Sequence, residues 1–366
     1  MEKILDNSDL LLAKQKLVRA TGIILFIGAC GLAFARVLSA LLSQYVFSSL
    51  DEVTETIVSD VIFTSLVQIV ALFIGPFLVY KLYLKGETKN FLKISNVKPV
   101  SVCVCLIAVV VGLLAPVFSM LINYCTNLLF ISIGVTLPSS STVLPEKFSI
   151  WVLLLNIVLT AVLPGICEEI FNRGIVLTGV RSMLPQWLTI LVGGLIFGLF
   201  HQYIFQYFYT GAFGMVIVFI TLKTKSIVPA MIVHFTNNLI SVIGEFALFY
   251  SWDFMSLQSI IASIETTYLI PAMIVGVGAF ILAIFLLLKC DKADKHNQII
   301  DKLVKEGKIP QEALKNKNVR AGVAVVGGPL GEVVYYKPTI KDLVFYYGAL
   351  VVSVLSTLFT LFWYML

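Results

Sequence analysis

Two adjacent glutamates, Glu168 and Glu169, stand with Arg173 inside a stretch, about 151–180, that otherwise has the apolarity of a membrane-spanning helix. A carboxylate at the centre of a bilayer costs about 3 kcal/mol even on lenient insertion scales, so each acid needs local polar company. An ionisable group at such a depth is a functional-site candidate by default. The chain has three histidines, and two of them, His201 and His234, fall in later apolar stretches. Asn238 follows His234 by one helical turn. Two acids, two imidazoles and an amide buried together point to hydrolytic chemistry.

Spacing divides the labour among them. Neighbouring helical residues point about 100° apart, so Glu168 and Glu169 cannot face one spot equally: one is expected to be catalytic and the other supporting. Arg173 lies four residues beyond Glu169 on the same face and can pair with it, which leaves Glu168 free to face a water. Phe197 and His201 form a second i, i+4 pair, with a ring beside an imidazole, and His234 and Asn238 form a third along one stripe. At about 1.5 Å rise per residue, Glu168 sits roughly 20 Å from Arg181, His201 roughly 22 Å from Gln186, His234 roughly 14 Å and Asn238 roughly 20 Å from Lys225. These depths overlap, so three helices can deliver the set to one cavity. Pro164-Gly165 marks a place for a bend just before the acids.

Those helices follow from composition. Of 366 residues 59% are hydrophobic and 13% charged, with mean hydropathy +0.97, against about 45–50% and about 25% in soluble proteins. Apolar runs near 20–45, 58–83, 101–131, 150–181, 186–208, 226–251, 266–289 and 342–366 are long enough to span a bilayer. A shorter run at 209–222 makes nine if it crosses. The expected fold is all-α, a polytopic transmembrane bundle of about eight or nine spans with a catalytic helical core at about 150–245. The chain divides into three N-terminal helices with an interfacial segment (1–149), the core (150–250), a further helix (251–289), a cytoplasmic polar segment (290–341) and a last helix (342–366). The first twenty residues are mixed in charge, with no small-residue cleavage site after a short apolar core, so the first span is expected to be retained.

Lysine and arginine set the orientation. Lys3, Lys14, Lys16 and Arg19 precede the first span, Lys81 to Lys98 crowd the second connection, and Arg181, Lys223, Lys225 and the run from Lys289 to Lys341 mark the other even-numbered sides. The opposite connections hold one lysine, Lys147. The amino terminus is therefore expected in the cytoplasm and, with nine spans, the carboxyl terminus outside. The net charge of +5 belongs to loops that face anionic lipid heads and needs no nucleic-acid partner. Cys30, Cys103, Cys105, Cys125, Cys167 and Cys290 lack metal-ligand spacing and are expected to be small buried hydrophobes. Around 85–100, Phe91, Leu92, Ile94 and Val97 among lysines suit a segment lying on the inner interface. The 291–341 segment opens as an amphipathic helix carrying Ile299, Ile300, Leu303 and Val304, then passes Pro310 and the turn-like Gly327-Gly328-Pro329 as a tether. Arg36 and Asp60 are expected to pair near the outer ends of their helices, Glu245 and Glu265 to be interfacial, and Tyr203, Tyr207 and Tyr209 to form an interfacial aromatic belt.

Three ordered motifs stand out: Glu168-Glu169-Ile170-Phe171-Asn172-Arg173, Phe197-Gly198-Leu199-Phe200-His201 and His234-Phe235-Thr236-Asn237-Asn238. As EExxxR, FxxxH and HxxxN, each in an apolar helix, they resemble the membrane-embedded CAAX prenyl endopeptidase and bacteriocin-processing protease family, also called Abi or CPBP, over about 150–245. The resemblance implies peptide-bond hydrolysis within the membrane. Glu168 would be the general base on a water that His201 helps to hold, and His234 and Asn238 would stabilise the oxyanion. Glu169, Arg173 and Phe197 would support them. Glu168, His201 and His234 also make a His₂Glu set of the kind that holds catalytic zinc, although HExxH is absent; a metal-free mechanism is favoured, with zinc as the alternative. Two other function classes share these features, a catalytically silent scaffold or regulator and a proton-coupled transporter. The transporter predicts inverted repeats, which the sequence lacks. Membrane lipid and a peptide or membrane-protein substrate are the implied partners, and lysine- and isoleucine-rich composition hints at a bacterial plasma membrane.

Overall fold

A computed structural model describes residues 7–134, 149–252, 260, 264, 266–306 and 336–365. The apolar runs become helices because a segment in hydrocarbon must satisfy its backbone groups internally; no strand occurs among the described residues. The helices are α1 (Asn7–Tyr45), α2 (52–82), α3 (Val102–Ser132), α4 (Ile150–Met183), α5 (Gln186–Phe200), α6 (Ile204–Thr224), α7 (Val228–Phe249), α8 (Thr266–Lys305) and α9 (Ile340–Met365). Their starts carry the expected caps. Asp51 accepts from the Thr54 backbone N–H, Ser101 from Val104 and Ser149 from Val152, while Pro229 occupies the first turn of α7.

Eight of these helices are long and apolar enough to cross a membrane, and α5, at 15 residues, is shorter. Large apolar side chains such as Phe34, Leu106, Val275 and Val351 point outward, as a lipid-facing surface requires. Inside, the bundle has two apolar clusters. One joins α1, α2 and α4 around Ile24, Leu72, Phe171 and Val180; the other joins α3, α5, α6, α7 and α8 around Val111, Phe197, Ile217, Val233 and Phe280. The polar residues of interest lie at the junction of the two. At Gly165, a Cβ would come within 3.1–3.3 Å of Phe235, backbone atoms included, so a side chain there would press α4 against α7.

Several expectations are corrected. The apolar run expected to span 186–208 breaks at 201–203, and the following helix starts at Ile204, so the short member is α5 and not 209–222. Gln202 turns the chain with φ +48°. At about 22 Å, α5 covers less than a roughly 30 Å hydrocarbon core, so this turn lies at membrane depth, where bare carbonyls are costly. Distant helices satisfy them. Arg36 of α1 donates to the carbonyls of both His201 and Gln202, and Thr360 of α9 donates to that of Gln202 at 3.1 Å. Arg36, expected to pair with Asp60, thus caps α5.

The helix expected to end at 289 runs unbroken to Lys305. Its first polar turns are tied to the bundle, because Lys295 donates to the Thr224 carbonyl that ends α6 and to Asp291, and Ser101 bonds Asp294. In the 85–100 segment Phe91 is buried edge-on against Phe73 and Phe77, while Leu92 and Ile94 are exposed. Among the cysteines only Cys167 is buried; Cys103 and Cys125 are exposed, and all six are free thiols. Lys147, Glu265, Pro310 and Gly327-Gly328-Pro329 lie outside the described residues, as do the side chains of Ile299, Ile300, Leu303 and Val304.

Candidate active site

Helix α4 presents its two acids to different surroundings. Glu169 is fully buried, and its Oε1 accepts from Arg173 Nη1 at 2.9 Å and from His234 Nδ1 at 2.8 Å. The Arg173 guanidinium lies over the Phe197 ring, 4.0 Å from its centroid, so the buried cation has an aromatic face as well as a carboxylate. Glu168, one residue round the helix, is half-buried and turned into a cavity, where its Oε1 accepts from Gln68 Nε2 of α2 at 2.7 Å. The sequence paired Glu169 with Arg173 alone. Its bond to His234 adds a carboxylate–imidazole link that joins α4 to α7.

The histidine tautomers follow from their partners. His201 Nδ1 lies 2.9 Å from the Phe197 carbonyl, which only accepts, so the proton is on Nδ1 and Nε2 carries a lone pair. His234 Nδ1 likewise donates to the Glu169 carboxylate. The Phe197 ring meets both imidazoles edge-on, at 4.9 Å from His201 and 5.7 Å from His234. It therefore touches Arg173, His201 and His234 at once, a larger part than its place beside His201 suggested.

Asn238 Nδ2 donates to the Thr160 carbonyl at 2.9 Å, and Asn237 Nδ2 donates to Asn238 Oδ1 at 3.1 Å. Thr160 sits in a π-type stretch of α4, Ile157–Val162, whose widened turns free carbonyls for such partners. A second widened stretch, Ile170–Val176, follows the acids, and there Asn172 Nδ2 donates to the Glu168 carbonyl. A third, Ser65–Ile74, carries Gln68. π-Type turns recur at functional sites because they re-aim side chains without ending a helix.

One cavity of about 850 Å³ gathers Glu168, Phe197, His201, His234 and Asn238 on its wall with Gln68, Asn237 and Thr160. Arg173 and Glu169 lie behind that wall. Glu245 and Tyr209 also line the cavity. The turn that begins at His201 is held from outside this region: Gln202 is fully buried, donates to the Ala29 carbonyl of α1 at 3.2 Å and accepts from Ser356 of α9 at 2.6 Å. Gln68 and Gln202 escaped the sequence reading, and Arg36 was given a different partner. Their only signal was a single polar side chain in an apolar helix.

A zinc ion held by Glu168, His201 and His234 would need their donor atoms at about 2.0–2.2 Å from one point. Among the described residues no three His, Cys, Asp or Glu side chains converge in that way, and Oε1 of Glu168 is engaged by Gln68. The side chains as placed do not fit a resident metal.

Residues 150–240 match the model of the Rce1-like family, described as type II CAAX prenyl endopeptidase Rce1-like. Neither the curated proteins nor the solved structures contain a match. The matching segment is a quarter of the chain and holds the acid pair and both histidines.

Proposed function

We propose that the chain is an intramembrane endopeptidase in which Glu168 activates water. The observation that carries this reading is the division between the two acids: Glu169 is locked behind the cavity wall by Arg173 and His234, while Glu168 faces the cavity with His201, His234 and Asn238. In the proposed step, a water held between the Glu168 carboxylate and the His201 Nε2 lone pair gives a proton to Glu168 as its oxygen attacks the scissile carbonyl carbon. The negative charge that develops on the carbonyl oxygen is met by the Asn238 amide and by His234, which the Glu169 carboxylate orients through Nδ1. When the C–N bond breaks, the proton on Glu168 passes to the leaving amine and the carboxylate is restored. No metal enters this scheme. The substrate class is a peptide or membrane-protein segment taken from the bilayer, and nucleic acid has no part.

The test is cleavage of candidate peptides by purified protein in detergent. Asn238→Ala is expected to lower kcat on the order of 100-fold, as for loss of one oxyanion donor, with little change in KM. An Asn238→Ala enzyme with wild-type kcat would remove that residue from the oxyanion site.

We also propose that the protein lies in a bacterial plasma membrane with its amino terminus inside, the orientation that the lysine distribution favours. With α5 and α6 counted as a descending and returning pair, the carboxyl end of α8 is inside. A lone cysteine at Lys305 should then react with an impermeant reagent only after the inner face is opened. Labelling of intact cells would reverse the orientation.

A further inference from the structure

We infer that Glu245 is a binding subsite for a lysine or arginine side chain of the substrate, about three residues from the bond that is cut. The inference rests on the peptidase reading above and names a feature of its substrate. Glu245 lies on the cavity wall with Ser241, Gly244 and Leu248, on the same helix as His234 and Asn238. Among the described residues, the cavity wall carries two carboxylates, Glu168 and Glu245, and no lysine or arginine. The basic partner of the acid pair, Arg173, bonds Glu169 and lies over Phe197 behind that wall, outside the cavity lining. Glu245 is thus an acid in an apolar setting with no cation of the protein's own beside it in the cavity. A bound cation is what such a group recognises.

Distance sets the position. Glu245 is seven residues beyond Asn238, about 10 Å along the helix axis, and an extended peptide advances about 3.3 Å per residue. A chain whose scissile carbonyl sits at Asn238 therefore presents its third residue beside Glu245. Space is available there, since a Cβ built on the adjacent Gly244 meets nothing within 4 Å. A long basic side chain can lie along that gap with its stem on Leu248 and its charge on the carboxylate.

The experiment uses the full-length purified protein and an internally quenched peptide library in which one position at a time is fixed as lysine, arginine, glutamine or glutamate. Wild type is expected to cleave peptides with a basic residue three positions from the cut at least about tenfold better, in kcat/KM, than those with glutamine there. Glu245→Gln should erase that preference, and Glu245→Lys should turn it toward glutamate. A wild type indifferent at that position, or a basic preference kept by Glu245→Gln, overturns the subsite. Binding separates this outcome from failure of the peptidase reading. Glu168→Gln protein should bind a backbone-methylated, uncleavable lysine peptide at least about tenfold more tightly than its norleucine counterpart, and the Glu168→Gln/Glu245→Gln double variant should not. That binding difference without any cleavage would sustain the subsite and sink the peptidase; equal binding of the two peptides would sink the subsite.

Discussion

Glu168→Gln should leave a folded protein that cleaves at least about a thousandfold more slowly than wild type. The substitution keeps the shape of the side chain and removes the one property the mechanism needs, a carboxylate able to take a proton from water. Its structural cost is small because Glu168 is only half-buried and its single hydrogen-bond partner among the described residues is the Gln68 amide, which can pair with another amide. A loss of this size in kcat, with an unchanged melting temperature, would separate chemistry from folding. Wild-type turnover in the purified Glu168→Gln protein would overturn the assignment of the base.

The second large effect falls on stability. Glu169→Gln leaves the Arg173 charge buried without its carboxylate, and Arg173→Ala leaves Glu169 facing His234 alone. Breaking a buried ion pair from one side costs about 3–5 kcal/mol. Relief is scarce, because Glu169 Oε2 and Arg173 Nε and Nη2 are buried with no hydrogen-bond partner among the described residues. Either single variant should melt well below wild type in detergent. Replacing both, as Glu169→Gln with Arg173→Met, should cost less than the two single changes added together, since no uncompensated charge remains. Strict additivity in that double-mutant cycle would mean that the pair does not act as a unit.

The contrast between the two neighbours shows how far sequence reasoning reached. The i, i+4 relations of Glu169 with Arg173, of Phe197 with His201 and of His234 with Asn238 were legible because helical periodicity alone fixes which side chains share a face. That Glu168 meets Gln68 was not, because the two lie a hundred residues apart on different helices and a single amide in an apolar run carries no partner information. The break at 201–203 was hidden for a related reason. A three-residue turn barely lowers the hydropathy of a twenty-residue window, and what makes it tolerable is the set of donors that Arg36 and Thr360 bring from α1 and α9. That Glu245 and Tyr209 line the cavity was not legible either, because position along a helix indicates depth, while the wall a residue faces depends on how that helix is rotated against its neighbours. Helix α8 was cut short at the first charges, where Lys295 and Asp294 bind the ends of α6 and α3 and carry the helix onward.

The central claim, that a carboxylate and not a metal activates the water, is tested most directly by the cleavage rate of enzyme freed of metal. The account predicts that protein treated with a strong chelator, and shown by elemental analysis to hold no zinc, cleaves at the wild-type rate. Loss of cleavage on chelation, about one zinc per chain before treatment and recovery when zinc is restored would contradict the claim and make Glu168, His201 and His234 ligands.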